Sequence, residues 1–316
     1  MKRQYCVGMD LGGTNVRLGI VDSRGQVLRR RRVKMARFVS KAELSDWLGM
    51  ILGEFISANR DFPPPKAAVV GFAGPTRSSA GTVYYAPNVG RFTHIDVGRR
   101  LERALGLPVM VENDANCAAL GEFWRGRGRG AKSLFLFTLG TGIGGSFVID
   151  GDVWRGEDGI AGEIGHTVVM AGGPRCSCGK SGCLEALVSA TAIVRDYREA
   201  TRGRAVAASA GGAAGALTAK AVVDLAREGD RAARAVVRRA SWALGIGIAN
   251  VFHLLNPEVI LIGGGVSRAG SFLIRPAVEE ARRLVFPPLR ARVKVKRTAL
   301  GDDAGILGAA YLGFRP

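Results

Sequence analysis

The segment EIGHTVVMAGGPRCSCGKSGCLE, from Glu163 to Glu185, holds one of the chain's three histidines and three of its five cysteines, framed by two carboxylates. His166, Cys176, Cys178 and Cys183 offer one imidazole and three thiolates, the ligand set that zinc takes tetrahedrally. Four protein ligands leave no open position for a reactive water, so the metal expected here is structural. The alternative is a disulfide or unrelated buried thiols, although adjacent Cys-x-Cys pairs bridge poorly to each other.

Three glycine-rich turns form a second group: GGTN at 12–15, GTGIGG at 140–145 and GGGVS at 263–267. Glycines let backbone N–H groups converge on an oxyanion without Cβ obstruction, which is what a phosphate chain needs. DLGGTN is neither a Walker loop nor a dinucleotide fingerprint, because a strand rather than a helix follows it. Alone it reads equally well as a simple hairpin turn. Three such turns favour a nucleotide, with Gly8, Gly12, Gly13, Thr14, Asn15, Gly140, Thr141, Gly142, Gly144, Gly145, Gly263, Gly264 and Gly265 as candidate contacts. Asp10 precedes the first turn, where its carboxylate can hold magnesium beside the phosphates or merely cap the turn. Arg17 either adds charge to that pocket or points outward from its strand.

The stretch VMVENDANCAALGEFW supplies the acceptor side: an apolar strand at 109–111, then a helix beginning near Asn113 or Asp114. Strand ends in open α/β sheets are where ligands meet side chains. An aspartate there can be a helix cap. Beside nucleotide cradles it gains a second role, accepting the proton of a substrate hydroxyl as the oxygen attacks phosphorus. Asp114 is assigned as that base, and Asn88, Asn113, Glu163, His166 and Glu185 as candidates for holding a sugar's other hydroxyls. If His166 binds zinc through one ring nitrogen, the other is fixed in orientation and can touch the substrate.

The elements that must position these groups follow from periodicity. Short strands at 5–11, 16–22 and 26–34 make a meander, followed by a helix near 41–58 and a strand at 67–73. MDLGGTNVRLGIVD at 9–22 aligns with TLGTGIGGSFVID at 138–150 at a constant offset of 128, matching Leu11 with Leu139 and Asp22 with Asp150. That duplication predicts two similar halves facing each other across a cleft. Helices are expected within 218–255, stopped by Asn256 and Pro257, then a buried strand opening into the third turn. The Ala/Gly/Ser stretch at about 203–216 reads as a mobile surface loop. A final helix at about 302–312 is expected to pack back on the N-terminal half. The division drawn is 1–115 plus 300–316 as a smaller α/β domain and 116–299 as a larger one carrying the zinc site.

With 316 residues and 47% apolar content the chain can bury a substantial core. Its 45 glycines, about twice the ~7% average, cluster in short turns. The start lacks a long apolar leader run, and no later run suits a membrane span, so a cytoplasmic protein with free thiols is expected. The net charge of +18 raises a nucleic-acid reading, but the basic residues are scattered and no nucleic-acid-binding signature accompanies them. Neither nucleic acid nor membrane is expected as a partner.

Taken together, DLGGTN, ENDANCAALGE, TLGTGIGG, EIGH with its ten-residue step to CSCGKSGCLE, and LLNPEVILIGGGVS resemble the motifs of the ROK sugar kinases, in that family's order and nearly end to end. The resemblance implies the two-domain actin/hexokinase-like (ribonuclease H-like) α/β fold with a ligand cleft between domains closing on ATP and a hexose. It also implies magnesium with the nucleotide, zinc at the four ligands above, commonly a homodimer, Asp114 as base, and Asn113, Glu163, His166 and Glu185 as sugar contacts. Regulators of that family carry an additional N-terminal DNA-binding segment, whereas this chain begins at the first strand, so a kinase, glucokinase-like, is expected. One departure stands out: many glucokinase-like members place a tryptophan after the equivalent of Ala86-Pro87-Asn88, where this chain runs VGRFTHID.

Overall fold

The computed structural model describes residues 4–86, 89–90, 92–202 and 217–315; Asn88 and the expected loop at 203–216 lie outside the described residues. Strands β1 (Tyr5–Leu11), β2 (Asn15–Asp22) and β3 (Val27–Lys34) form the antiparallel meander, with Asp10 opposite Arg17 and Arg17 opposite Arg32. Helix α1 (Lys41–Ser57) starts where Ser40 accepts from the Glu43 N–H while the Glu43 carboxylate accepts from the Val39 N–H, a reciprocal cap. Strand β4 (Ala68–Phe72) then joins β1 in parallel. A small antiparallel sheet follows, made of β5 (Thr76–Arg77), β6 (Thr82–Ala86) and β7 (Phe92–Asp96). Helix α2 (Val97–Leu105) leads to β8 (Val109–Asn113), parallel to β4, and directly into α3 (Asp114–Arg125).

The second sheet repeats the plan. It is built from β9 (Ser133–Leu139), β10 (Ile143–Ile149), β11 (Asp152–Val153), β12 (Val259–Gly263) and β13 (Val295–Arg297). Its order β11-β10-β9-β12-β13 matches β3-β2-β1-β4-β8 strand for strand. Strand β9 also begins and ends 128 residues after β1, so the internal duplication read from the matched turns is a duplication of topology. Between these strands lie α4 (Glu185–Val188), α5 (Ala190–Ala200), α6 (Ala219–Glu228), α7 (Arg231–Leu255) and α8 (Ser271–Leu284), and α9 (Ala304–Phe314) closes the chain.

Contact density divides the chain into two compact units. The first is Met1–Lys132, Ser146–Ala161 and Ala299–Pro316; the second is Ser133–Gly145 and Gly162–Thr298. In the first unit one core lies between the β-meander and α1, where Leu18, Leu44, Leu48, Leu52 and Phe72 are fully buried. The opposite sheet face carries α9, with Ile306 and Leu307 against Cys6 and Val21. In the second unit, Asp230 caps α7 by accepting from the Ala233 N–H, and Asn256 ends it in the left-handed conformation at φ 42° just before Pro257.

Helix α9 lies unusually close to its neighbours because small residues face it. A Cβ on Gly308 would overlap the Cys117 carbonyl oxygen of α3, and one on Gly121 would overlap the Ala304 carbonyl. The carboxylate of Glu122, fully buried, holds the chain leading into α9 by accepting from the Ala299 and Leu300 N–H groups, both at 2.8 Å. Gly308→Ala is therefore expected to force α3 and α9 apart and to lower stability by about 1–3 kcal/mol. A urea midpoint equal to that of the parent would show that this contact relaxes freely.

The run Arg29 to Arg32 is an edge-strand device. Arg29 pairs with Asp61 at 3.0 Å, Arg30 with Asp303 at 2.7 Å and Arg31 with Glu54 at 2.8 Å, while Arg32 donates to the Asn15 side chain at 3.1 Å. Charged side chains with fixed partners on an outer strand keep its open edge from pairing with another chain. Much of this local excess charge is thus committed within the fold rather than gathered for a polyanion.

Candidate active site and metal centre

The β8–α3 junction decides what Asp114 can do. Asn113, not Asp114, is the helix cap: its side-chain oxygen accepts from the N–H groups of Ala115 at 2.9 Å and Asn116 at 3.2 Å, and its amide nitrogen donates to the Gly74 carbonyl at 3.1 Å. Asp114 is the first helical residue and half-buried, and one carboxylate oxygen accepts from the N–H of Ala115. The capping alternative considered for Asp114 thus passes to its neighbour, and most of Asn113's hydrogen-bonding capacity is spent inside the protein. Glu112, only 2% exposed, was not singled out in the sequence, nor was its partner Arg155, whose Nε donates to it at 2.8 Å. No local pattern announces that pair, because 43 residues separate its members.

At the first glycine turn the Gly12 N–H closes on the Asn15 carbonyl at 3.1 Å, and Gly13 and Thr14 stand exposed at the tip. Asp10 and Arg17 point to the same side of the sheet and form an ion pair at 3.1 Å; Arg17 reaches Asp302 at the same distance. Arg17 therefore belongs with Asp10 instead of pointing away from it. Burial pushes the Asp10 carboxyl above its ordinary range and the Arg17 guanidinium pulls it back. Gly8 has a different job from the cradle role expected of it. It sits mid-strand under α9, where a Cβ would overlap the Ile306 carbonyl oxygen.

The second turn is braced from two sides. The Gly140 N–H closes on the Gly142 carbonyl, the Ala190 N–H of α5 reaches the Gly140 carbonyl at 2.8 Å, and the Thr191 hydroxyl reaches the Thr141 carbonyl at 3.0 Å. Glu185 accepts from the Ile143 N–H at 2.9 Å through one oxygen and from the Ser177 hydroxyl at 3.1 Å through the other. Gly142 is needed because a Cβ there would press on that first oxygen at 2.5 Å. Gly145 and Gly263 are close-packing positions within or at the end of strands, against Gly162 and Thr298 respectively. Gly264 adopts φ 84° and lies against the Leu139 backbone, while Gly265 faces open space. Gly144 is half-buried in β10.

His166, Cys176, Cys178 and Cys183 converge with their ligand atoms all within 4.8 Å of one another. Cys178 Sγ lies 3.7 Å from Cys183 Sγ, and Cys176 Sγ lies 3.7 Å from His166 Nδ1. With metal–sulfur bonds of about 2.3 Å, a tetrahedron has edges of about 3.8 Å, close to these two separations, so the cluster is compatible with zinc. All five cysteines are free in this structure. The other ring nitrogen of His166 lies 3.9 Å from a Glu163 oxygen. Glu185 also approaches Cys176 Sγ at 3.8 Å, so the same carboxylate touches both the thiolate cluster and the second glycine turn.

A sequence model of the ROK family matches residues 6–315. The chain belongs to the ROK family. This ROK protein is 37% identical to the glucokinase of Thermotoga maritima, covering 99% of this chain and 98% of that one. It is 36% identical to the glucokinase of Halalkalibacterium halodurans, with 99% and 96% covered. A solved structure, a ROK family glucokinase from Streptomyces griseus in complex with glucose and AMPPNP, superposes with a TM-score of 0.81 at 32% identity, covering 98% of both chains. The mixed α/β fold of this ROK protein is of the actin/hexokinase-like class shared by those kinases. None of its described helices is long and apolar enough to cross a membrane.

Proposed function

We propose that this ROK protein is an ATP-dependent glucokinase, transferring the γ-phosphoryl group to the C6 hydroxyl of glucose. It is a sugar kinase; the end-to-end likeness to glucokinases, one of them holding glucose and an ATP analogue, carries that conclusion and supports the choice of glucose. In the proposed mechanism Asp114 accepts the hydroxyl proton as its oxygen attacks phosphorus. The helix is capped by Asn113 rather than by Asp114, which is the first helical residue. Glu163, His166 and Glu185 hold sugar hydroxyls, and Asn88 and the remaining Asn113 amide hydrogen are further candidates. The turns at 12–15, 140–142 and 264–265 offer backbone donors to the phosphates, with Arg17 held beside Asp10. Asp10 is the residue that would hold magnesium, whose chemistry when bound is to neutralise charge on the transferring phosphoryl group. The thiolate cluster would hold zinc as a brace for His166 and Glu185.

A coupled ADP-release assay with glucose, fructose, mannose, N-acetylglucosamine and N-acetylmannosamine tests this reading. Glucose is expected to give the highest kcat/KM. A higher value for an N-acetylated hexosamine would reassign the substrate, and sugar binding with no ADP release from any of the five would replace the kinase with a sugar sensor.

A further inference from the structure

We propose that Arg155 is the positioning residue for Asp114, acting through the buried carboxylate of Glu112. The inference rests on Asp114 being the base. Glu112 is 2% exposed at the end of a parallel strand, where burying a carboxylate is costly unless a countercharge and a full set of donors meet it. Arg155 supplies the charge through Nε at 2.8 Å. Its Nη1 is pinned by the Val153 carbonyl at 3.2 Å and Asp152 at 3.3 Å, so the guanidinium is fixed before it meets Glu112.

The second Glu112 oxygen then accepts from the Asn113 N–H and from the Asn116 side-chain amide, both at 2.8 Å. Those two bonds bracket Asp114, one residue before it and two after. The Asn113 cap adds bonds to Ala115 and Asn116, so the backbone on both sides of Asp114 is tied, directly or through Asn113, to one buried carboxylate. Without Arg155 one Glu112 oxygen is left buried with no donor, and a side chain that turns towards water to satisfy it abandons Asn113 and Asn116. The turn that aims Asp114 then loosens, while Glu163, His166 and Glu185, which lie elsewhere in the chain, keep their own contacts.

The test is steady-state kinetics on zinc-loaded, folded enzyme for Arg155→Met, Arg155→Lys and Asp114→Asn side by side. Arg155→Met keeps most of the apolar stem and deletes the fork. It is expected to lower kcat on the order of 10²-fold, the effect of a misplacement near 1 Å, with KM for glucose within about threefold of the parent. Arg155→Lys restores the charge without the fork and should recover part of the loss. A fall in melting temperature with kcat per folded molecule unchanged in both Arg155 variants overturns the inference. Should Arg155→Met not fold, Arg155→Lys decides alone: parental kcat overturns the proposal and a reduced kcat at parental KM supports it. Full turnover in Asp114→Asn removes the base assignment itself, whereas an inactive Asp114→Asn beside fully active Arg155 variants removes the positioning role only.

Discussion

Asp114→Asn is expected to lower kcat by about 10² to 10⁴, the usual worth of a positioned general base, while leaving KM for glucose close to the parent value. Asparagine has nearly the same shape and still hydrogen-bonds a hydroxyl, but it cannot take the proton. The bonds capping the helix to Ala115 and Asn116 come from Asn113, and Glu112 holds the junction from below. What α3 loses is a negative charge in its first turn, worth about 0.3–1 kcal/mol. Stability should therefore change little, and the loss should appear in the ADP-release rate at saturating sugar and ATP. Turnover within a factor of a few of the parent would mean that the proton leaves by another route.

The contrast with Asn113 shows what the sequence made legible and what it did not. ENDANC marks a strand running into a helix, and the helix starts where the pattern places it, while the strand runs two residues beyond the expected 109–111, to Asn113. Which of two adjacent polar residues caps the helix is decided by backbone dihedrals: Asn113 is extended, with φ −65° and ψ 144°. Glycines pose the same difficulty. Gly8 and Gly12 belong to one motif, yet Gly12 makes the turn and Gly8 makes room for α9, a contact with Ile306 almost the whole chain away. Short apolar runs bounded by turn residues gave β1, β2 and α9, and a helical repeat of buried residues gave α1, each to within a residue or two. The small sheet of β5, β6 and β7 carried no such repeat, since strands of two to five residues are too short to establish one.

The largest structural effect is expected from the thiolate cluster. Cys178→Ser should abolish stoichiometric zinc and weaken glucose binding by an order of magnitude or more, because the ligands share their scaffold with the groups proposed to hold the sugar. The His166 ring is aimed by its contact with Cys176, and Glu185 leans on Ser177 and Cys176 while holding the Ile143 N–H of the second glycine turn. Apparent zinc-binding energies of about 10–16 kcal/mol in small thiolate sites are large enough to weigh heavily in the folding of this segment, where Cys176 and Cys183 pack with Ala186 in a small buried cluster. Burial pushes the metal-free Cys183 thiol up to about 12, so zinc uptake there must expel a proton. Metal affinity consequently falls as pH falls, since protons compete for the same sulfur lone pairs. Elemental analysis, thermal denaturation and glucose affinity measured together decide the matter. A Cys178→Ser protein that carries no zinc yet keeps parental affinity for glucose would show that the cluster braces nothing the sugar depends on, and that His166 and Glu185 are held by the polypeptide alone.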